Sequence, residues 1–292
     1  MILKEIYRLA ILELKEAGIN SAQLDARVLI CSALDISIEK FYLIQNDRLS
    51  PNQTKKIKLI IKKRAQNMPV AYILGHKEFY GFDFMVDKNV LIPRPETEGI
   101  VDKSIKSLKS KVHKVEILDI GTGCGNIIIA IACHSELARN LSTCLSHLQF
   151  FASDISPAAL KIARQNAKFH QVEGKIKFIQ SDLFSKLKNQ KFDLIIANLP
   201  YVPNSDTNEK SIQFEPKQAI FADKNGADII KKFLKQAPDH LNYHGSILLE
   251  LDPRNAFDIE TFAQKYFPKS KIKLSKDLAG LNRYLTINQS PC

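Results

Sequence analysis

From residue 2 to about residue 74 the apolar side chains recur at helical spacing. Ile2, Ile6, Leu9 and Leu12 form one stripe, and Leu24, Val28, Leu29 and Leu34 form another. Gly18-Ile19-Asn20-Ser21 and Ser50-Pro51-Asn52 interrupt these stripes, which predicts a small all-helical domain over residues 1–75. Ser21 and Ser50 read as helix starts, the second with proline just inside. The period then changes. Glu78-Phe79-Tyr80-Gly81-Phe82-Asp83-Phe84-Met85-Val86 is aromatic and strand-like, Asp87-Lys88-Asn89 reads as a turn, and Val90-Leu91-Ile92 comes next. Residues 76–92 are therefore expected to be a β-hairpin linker. In Pro93-Arg94-Pro95-Glu96-Thr97-Glu98, two prolines stiffen the chain and acids gather where a helix dipole favours them.

Beyond this point buried, strand-like runs alternate with helical ones: Val115 to Ile120, Gln149 to Ser153, Ile176 to Ile179, Phe192 to Ala197 and Ser246 to Leu251. Such alternation predicts an α/β domain over residues 93–292, a doubly wound and mostly parallel sheet. Two last strand candidates between Ser270 and Ile287, separated by Leu278-Ala279-Gly280-Leu281-Asn282, predict an antiparallel edge hairpin.

Composition agrees with a large domain and a small one: 292 residues, 45% hydrophobic and 25% charged, which excludes a disordered chain. Charges interrupt the N-terminal apolar residues every few positions, so no secretory segment is read, and no apolar run is long enough to cross a membrane. A cytoplasmic, monomeric protein is expected. Cys31, Cys124, Cys133, Cys144 and Cys292 are scattered, without a C-x-x-C pair, and are expected to be reduced thiols; no metal site is expected. The net charge of +11 leans toward an acidic or nucleic-acid-associated partner. Between Lys55 and Arg64 six basic residues stand among Ile57, Leu59, Ile60 and Ile61 without an acid. This run reads as the solvated face of an amphipathic helix, with a docking patch for RNA or an acidic partner as the other reading.

Chemistry concentrates at the ends of the predicted strands. The first ends in Asp119, and Gly121-Thr122-Gly123-Cys124-Gly125 opens directly into an apolar helix, so the backbone can turn sharply and approach a ligand. A dinucleotide fingerprint wants a sixth-position glycine, and Asn126 stands there. Glycines at the first, third and fifth positions, with an acid two residues before, instead resemble the first motif of S-adenosylmethionine (SAM) methyltransferases. The second strand ends at Asp154, placed to accept from ribose hydroxyls, and the third at Asp182-Leu183, suited to an adenine amino group and ring. Taken singly, Asp154 and Asp182 also fit helix caps, and the glycine turn fits a helix entry with no ligand. Together, at successive carboxyl ends, they favour a ligand.

The fourth strand ends in Asn198-Leu199-Pro200-Tyr201, which resembles the Asn-Pro-Pro-Tyr signature of methyltransferases acting on a planar nitrogen. Such a nitrogen delocalises its lone pair and is a poor nucleophile. The Asn198 side-chain oxygen and the residue-199 carbonyl would accept its two N–H bonds and turn the lone pair toward the methyl donor, while Tyr201 would stack on the planar group. Leu199 replaces a proline there. The acceptor is a backbone carbonyl and survives the change; the extra chain freedom is worth about 0.4–1 kcal/mol, so at most a few-fold slowing is expected.

From about Ala65 to Ile287 the chain resembles the release-factor glutamine N5-methyltransferase (PrmC/HemK) family. The most specific matches are Pro93-Arg94-Pro95-Glu96-Thr97-Glu98 and Asp277-Leu278-Ala279-Gly280. The resemblance implies SAM as cofactor, held by Gly121 to Gly125, Asp154 and the residues around Leu183. It implies that Asn198 to Tyr201 hold the glutamine of a Gly-Gly-Gln loop in peptide chain release factors, and that the helical domain grips that protein. Two departures stand out: Ser135 to His147 lengthens the span between the first two strands, and Glu250-Leu251-Asp252 replaces the family's Glu-Ile-Gly, with no role assigned to it. An amino-methyltransferase acting on DNA adenine or ribosomal RNA guanine would use the same signature and suits the charge. A SAM- or release-factor-binding protein without catalysis is the non-enzymatic alternative.

Overall fold

A computed structural model describes residues 1–108, 115–139, 148–203, 211–222 and 226–289. Cys144, Cys292 and most of the Ser135 to His147 stretch lie outside the described residues. The chain divides into two compact units, Met1–His76 joined by residues 211–214, and Lys77–Thr207 with Glu215–Cys292.

The smaller unit is helical: α1 (Leu3–Glu16), α2 (Ala22–Leu34), α3 (Ile38–Leu43), α4 (Pro51–Ala65) and α5 (Val70–Leu74). The buried face of α1 is Leu3, Ile6, Ala10 and Leu14, whereas Leu9 and Leu12 are exposed. Two stripes one position apart both satisfy a 3.6-residue period, and the packed one is centred on the small Ala10. The same shift leaves Leu24 exposed on α2, where Ala22, Ala26 and Leu29 turn inward. Ser50 caps α4 by accepting from Gln53 N at 3.2 Å, with Pro51 at the first helical position. Ser21 makes no such cap; its hydroxyl donates to Asp25 Oδ2 at 2.9 Å, and Asp25 also holds Arg64 Nε at 2.7 Å. Arg64 thus leaves the basic run, whose five lysines face solvent while Ile57 and Ile61 are buried.

The larger unit begins with a hairpin, β1 (His76–Phe79) and β2 (Phe82–Met85). Its turn is Tyr80-Gly81, both at positive φ (55° and 77°), the geometry a two-residue hairpin loop requires. The expected turn at Asp87-Lys88-Asn89 therefore lies beyond the hairpin, and Val90 to Ile92 form no strand. The hairpin is fastened to α6 (Glu98–Leu108): Tyr80 N donates to Glu98 Oε1 at 2.8 Å, and the Tyr80 hydroxyl to Asp102 Oδ1 at 2.7 Å.

Next come β3 (Val115–Ile120), α7 (Asn126–Arg139), β4 (Leu148–Asp154), α8 (Pro157–Phe169), β5 (Ile176–Gln180) and β6 (Phe192–Ala197). After the β6 loop come β7 (Val202–Pro203), α9 (Lys217–Ile220), β8 (Phe221–Ala222) and α10 (Asp228–Gln236). The unit ends with β9 (Leu241–Glu250), α11 (Ala256–Tyr266), β10 (Lys271–Lys276) and β11 (Asn282–Asn288). Seven strands form one sheet in the order β10-β11-β9-β6-β3-β4-β5, with β11 antiparallel to β9 and β10, and the rest parallel. This is the predicted sheet with its antiparallel edge. β9 starts earlier than its apolar run: Leu241 pairs with Phe192, and Asn242 to Gly245 then depart from the register around a left-handed His244 (φ 62°) before Ser246 pairs with Leu194. The core between sheet and helices is built from side chains such as Phe151, Phe192, Ile195, Phe233 and Leu249, each such burial worth about 1.5–3 kcal/mol.

Candidate active site

Parallel registry sets the site. Ile120 pairs with Ser153 and with Ala197, and Asp154 pairs with Gln180, so β3, β4, β5 and β6 all deliver their carboxyl ends to one edge. The glycine turn after β3 folds against β4: Gly121 N and Thr122 N donate to Ser153 O at 2.8 and 3.0 Å, and Gly123 N donates to Asp154 Oδ2 at 2.9 Å. Gly121 and Gly123 both sit at positive φ (74° and 56°), which side-chain-bearing residues rarely adopt. A Cβ on Gly123 would meet nothing within 4 Å, so the turn is open above.

A cavity of about 230 Å³ lies at this edge. Of the residues singled out from sequence, Gly121, Gly123, Asp154, Asp182 and Leu183 line it from the ends of β3, β4 and β5, and Asn198, Leu199 and Pro200 from the end of β6. Asp119, Thr122, Cys124, Gly125 and Tyr201 do not line it. Cys124 is buried, with its carbonyl accepting from Asn166 Nδ2 at 2.9 Å, and its thiol is pushed up to about 12 by burial. Gly125 packs where a Cβ would press on Ile129 Cδ1 at 2.7 Å.

The acids differ in state. Asp119 is fully buried; its Oδ2 accepts from the Thr122 hydroxyl at 2.7 Å, while Oδ1 has no partner, and burial pushes its carboxyl up to about 7. Asp154 is raised by burial and held back by the Ser156 and Gly123 N–H groups. Asp182 is half exposed and spends Oδ2 on Lys232 at 2.8 Å, a surface pair of small energetic weight. Leu183 is buried in a left-handed conformation (φ 47°), held there as the Ser181 hydroxyl donates to its carbonyl at 2.7 Å.

The Asn198 amide is the best-defined element. Its Nδ2 donates to Thr97 Oγ1 and to Glu250 Oε2, each at 3.1 Å, which commits the nitrogen and leaves Oδ1 as the free end. Glu250 Oε1 accepts from the Tyr201 hydroxyl at 2.9 Å. Burial raises the Glu250 carboxyl, against the pull of Thr97, Tyr201 and the Arg283 charge, and raises the Tyr201 phenol as well. Leu199 is buried and packs on the glycine turn, its Cδ2 3.2 Å from where a Gly121 Cβ would stand.

Sequence reasoning missed several of these residues. Glu250 is a lone acid at the end of an apolar strand, a signal that a charge so placed must have donors waiting. Thr97 lies inside a recognised motif, but nothing local marks its hydroxyl as the partner of Asn198. Val90 and Leu91, read as part of a hairpin, line the cavity instead. Glu215, buried in a loop, accepts from Ile92 N at 3.0 Å and from Arg94 Nη2 at 2.6 Å and so ties that segment down; no periodicity flags it. His240 and His244 stand four apart, a metal spacing on one helix, but here the first precedes β9 and the second lies within it. Among the described residues no group of His, Cys, Asp and Glu gathers for a metal, and no helix is long and apolar enough to cross a membrane.

Residues 5–75 match the PrmC N-terminal domain, and residues 111–248 a methyltransferase domain. A release factor glutamine methyltransferase from Rhodopirellula baltica is 33% identical over 94% of this chain and 92% of its own length. A bifunctional methyltransferase from Rickettsia typhi is 34% identical over 85% of this chain, which spans about half of that relative's length (50%). A methyltransferase structure from Pyrococcus furiosus covers 79% of this chain and 99% of its own at a TM-score of 0.51 and 18% identity, a likeness of fold.

Proposed function

The chain belongs to the release factor glutamine methyltransferase family, and from that premise we propose that it methylates the side-chain amide nitrogen of the glutamine in the Gly-Gly-Gln loop of peptide chain release factors. The observation that carries this reading is the Asn198 amide, whose nitrogen is held by Thr97 and Glu250 so that its oxygen is left to accept. An acceptor fixed in this sense suits an –NH₂ group.

SAM fits the nucleotide side of the cavity. Gly121 and Gly123 allow close backbone approach, and Asp154 stands beside them with lone pairs left for hydroxyl donors. Leu183 offers an apolar wall for a ring, and the open Asp182 oxygen an acceptor. When bound there, SAM supplies an electrophilic methyl group. The chain's own work is alignment. Asn198 Oδ1 accepts one amide N–H, the Leu199 carbonyl accepts the other, and the nitrogen lone pair is thereby turned out of conjugation toward the methyl donor. Tyr201, outside the cavity lining, acts through Glu250, to which its hydroxyl donates at 2.9 Å. A nitrogen gaining a bond makes its N–H acidic, so the proton leaves to water without a strong general base.

We assign residues 1–75 to gripping the protein substrate, 76–92 to the connection and 93–292 to catalysis. We take the protein to act as a monomer in the cytoplasm, a compartment that accords with Cys31, Cys124 and Cys133 being buried thiols outside any disulfide. Incubation with labelled SAM, purified release factor, ribosomal RNA and DNA tests the reading: label is expected in release factor alone, and label in nucleic acid alone would overturn it.

A further inference from the structure

Pro93 to Glu98, a segment conspicuous in the sequence, does not line the cavity. It is nonetheless fixed from three directions. Ile92 N and Arg94 Nη2 donate to the two oxygens of Glu215 at 3.0 and 2.6 Å, Tyr80 N donates to Glu98 at 2.8 Å, and the Tyr284 hydroxyl donates to Glu96 O at 2.5 Å. Gly99 makes that last approach possible, because a Cβ there would collide with the Tyr284 hydroxyl oxygen. Tyr284 is also the β11 residue that pairs with Glu250 on β9, so one strand pair sets the position of both Glu250 and the turn Pro95–Thr97. Thr97 N closes this turn by donating to Arg94 O at 3.1 Å, and the residue is buried (2% exposed).

We infer that Thr97 is a positioning residue that fixes the plane of the Asn198 amide, an inference that rests on Asn198 being the acceptor for the substrate amide. Glu250, which when ionised can only accept, decides which end of the Asn198 amide faces it. Alone it does not fix the plane, because the terminal torsion of an asparagine is soft. Asn198 Nδ2 carries two hydrogens; with Thr97 Oγ1 and Glu250 Oε2 each at 3.1 Å both are spent, and the torsion is set. Oδ1 is thereby aimed as well as left free. The Thr97 hydroxyl keeps its own proton for Glu250, and this hydrogen bond lowers the Glu250 carboxyl. The other titratable or charged groups around Glu250 are Tyr201 after β6, Arg283 and Tyr284 on β11 and Glu96 beside Thr97, with Arg94 acting on Tyr201.

The test is single-turnover methyl transfer from SAM to release factor, followed against pH, for the parent, Asn198→Ala, Thr97→Val and Thr97→Ser. Valine keeps the shape of threonine without the hydroxyl and should slow transfer roughly 3- to 10-fold at saturating substrate, with the Kd for SAM unchanged. Serine keeps the hydroxyl and its bonds, so it should run within about twofold of the parent. Because valine also takes a donor from Glu250, the acid-side loss of rate should move to higher pH in Thr97→Val and stay in place in Thr97→Ser. Thr97→Ala, which adds no bulk, gives the same two readings where a melting curve shows valine to disturb the fold. A folded Thr97→Val within about twofold of the parent, a Thr97→Ser as slow as Thr97→Val, or an acid limb that valine leaves in place would overturn the inference. Turnover retained by Asn198→Ala would overturn the functional reading itself, and the inference with it.

Discussion

Replacing Glu250 by glutamine changes one oxygen to an NH₂ group and removes one charge, with almost no change in volume. In the folded chain Glu250 receives from Asn198 Nδ2 at 3.1 Å and from the Tyr201 hydroxyl at 2.9 Å. A glutamine cannot accept on both sides. If its NH₂ faces Asn198, two donors oppose each other and the Asn198 amide turns over, putting an N–H where the substrate needs an acceptor. If its NH₂ faces Tyr201, the phenol must accept, and its own proton loses its partner. Either arrangement forfeits a hydrogen bond to a charged group, about 1.5–3 kcal/mol. Felt at the transition state, this is roughly a 10- to 150-fold loss in kcat. The Kd for SAM should stay nearly constant, because Glu250 does not line the nucleotide side. Thermal stability should fall as well, since the forfeited hydrogen bond is lost from the folded state. Steady-state methyl transfer, calorimetric SAM binding and a melting curve on Glu250→Gln measure the three quantities. A folded variant with kcat within twofold of the parent would refute this positioning role for Glu250. Because burial raises the Glu250 carboxyl, the parent should also lose rate on the acid side as a proton reaches Glu250, and Glu250→Gln should lose that limb of the profile.

Asn198→Ala should abolish transfer with SAM binding close to the parent's; unchanged turnover would sink the mechanism. Gly226→Ala should lower both stability and kcat, because Gly226 sits at φ 69° and a Cβ there would collide with the Tyr201 carbonyl oxygen; a loss of more than about 1 kcal/mol in urea unfolding is expected. Asp119 binds a proton up to about pH 7 when folded but only to the ordinary carboxylate range when unfolded. Its contribution to stability therefore falls as pH rises from about 4 to 7, by up to about 4 kcal/mol. Urea unfolding of the parent and of Asp119→Asn across that range should differ by this slope, and parallel curves would contradict the assigned burial cost. Leu199→Ala should destabilise by about 2–5 kcal/mol, since Leu199 is a packed core residue as well as a loop residue; a neutral melting curve would rule that out.

The sheet was legible because its strands are buried on both faces, so apolar runs such as Phe192 to Ala197 announce themselves and their ends locate Asp119, Asp154 and Asn198. Helix faces were less legible. Leu9 and Leu12 compete with Ala10 and Leu14 for the same period, and only packing against a neighbouring helix decides between them. The hairpin turn was misplaced because Tyr80-Gly81 is flanked on both sides by the aromatics Phe79 and Phe82, while the polar Asp87-Lys88-Asn89 has the composition of a turn without closing one. The partners of Asn198 were illegible for another reason. Thr97 and Glu250 lie 101 and 52 residues away along the chain, joined to it only by tertiary structure.

Transfer of the methyl group to an amide nitrogen held by Asn198 is most directly tested by mass spectrometry of release factor after a single turnover, comparing the parent with Asn198→Ala. One added methyl on the side-chain nitrogen of the Gly-Gly-Gln glutamine, absent with the variant, is the predicted result; a methyl at any other residue, or the same product from Asn198→Ala, would contradict it.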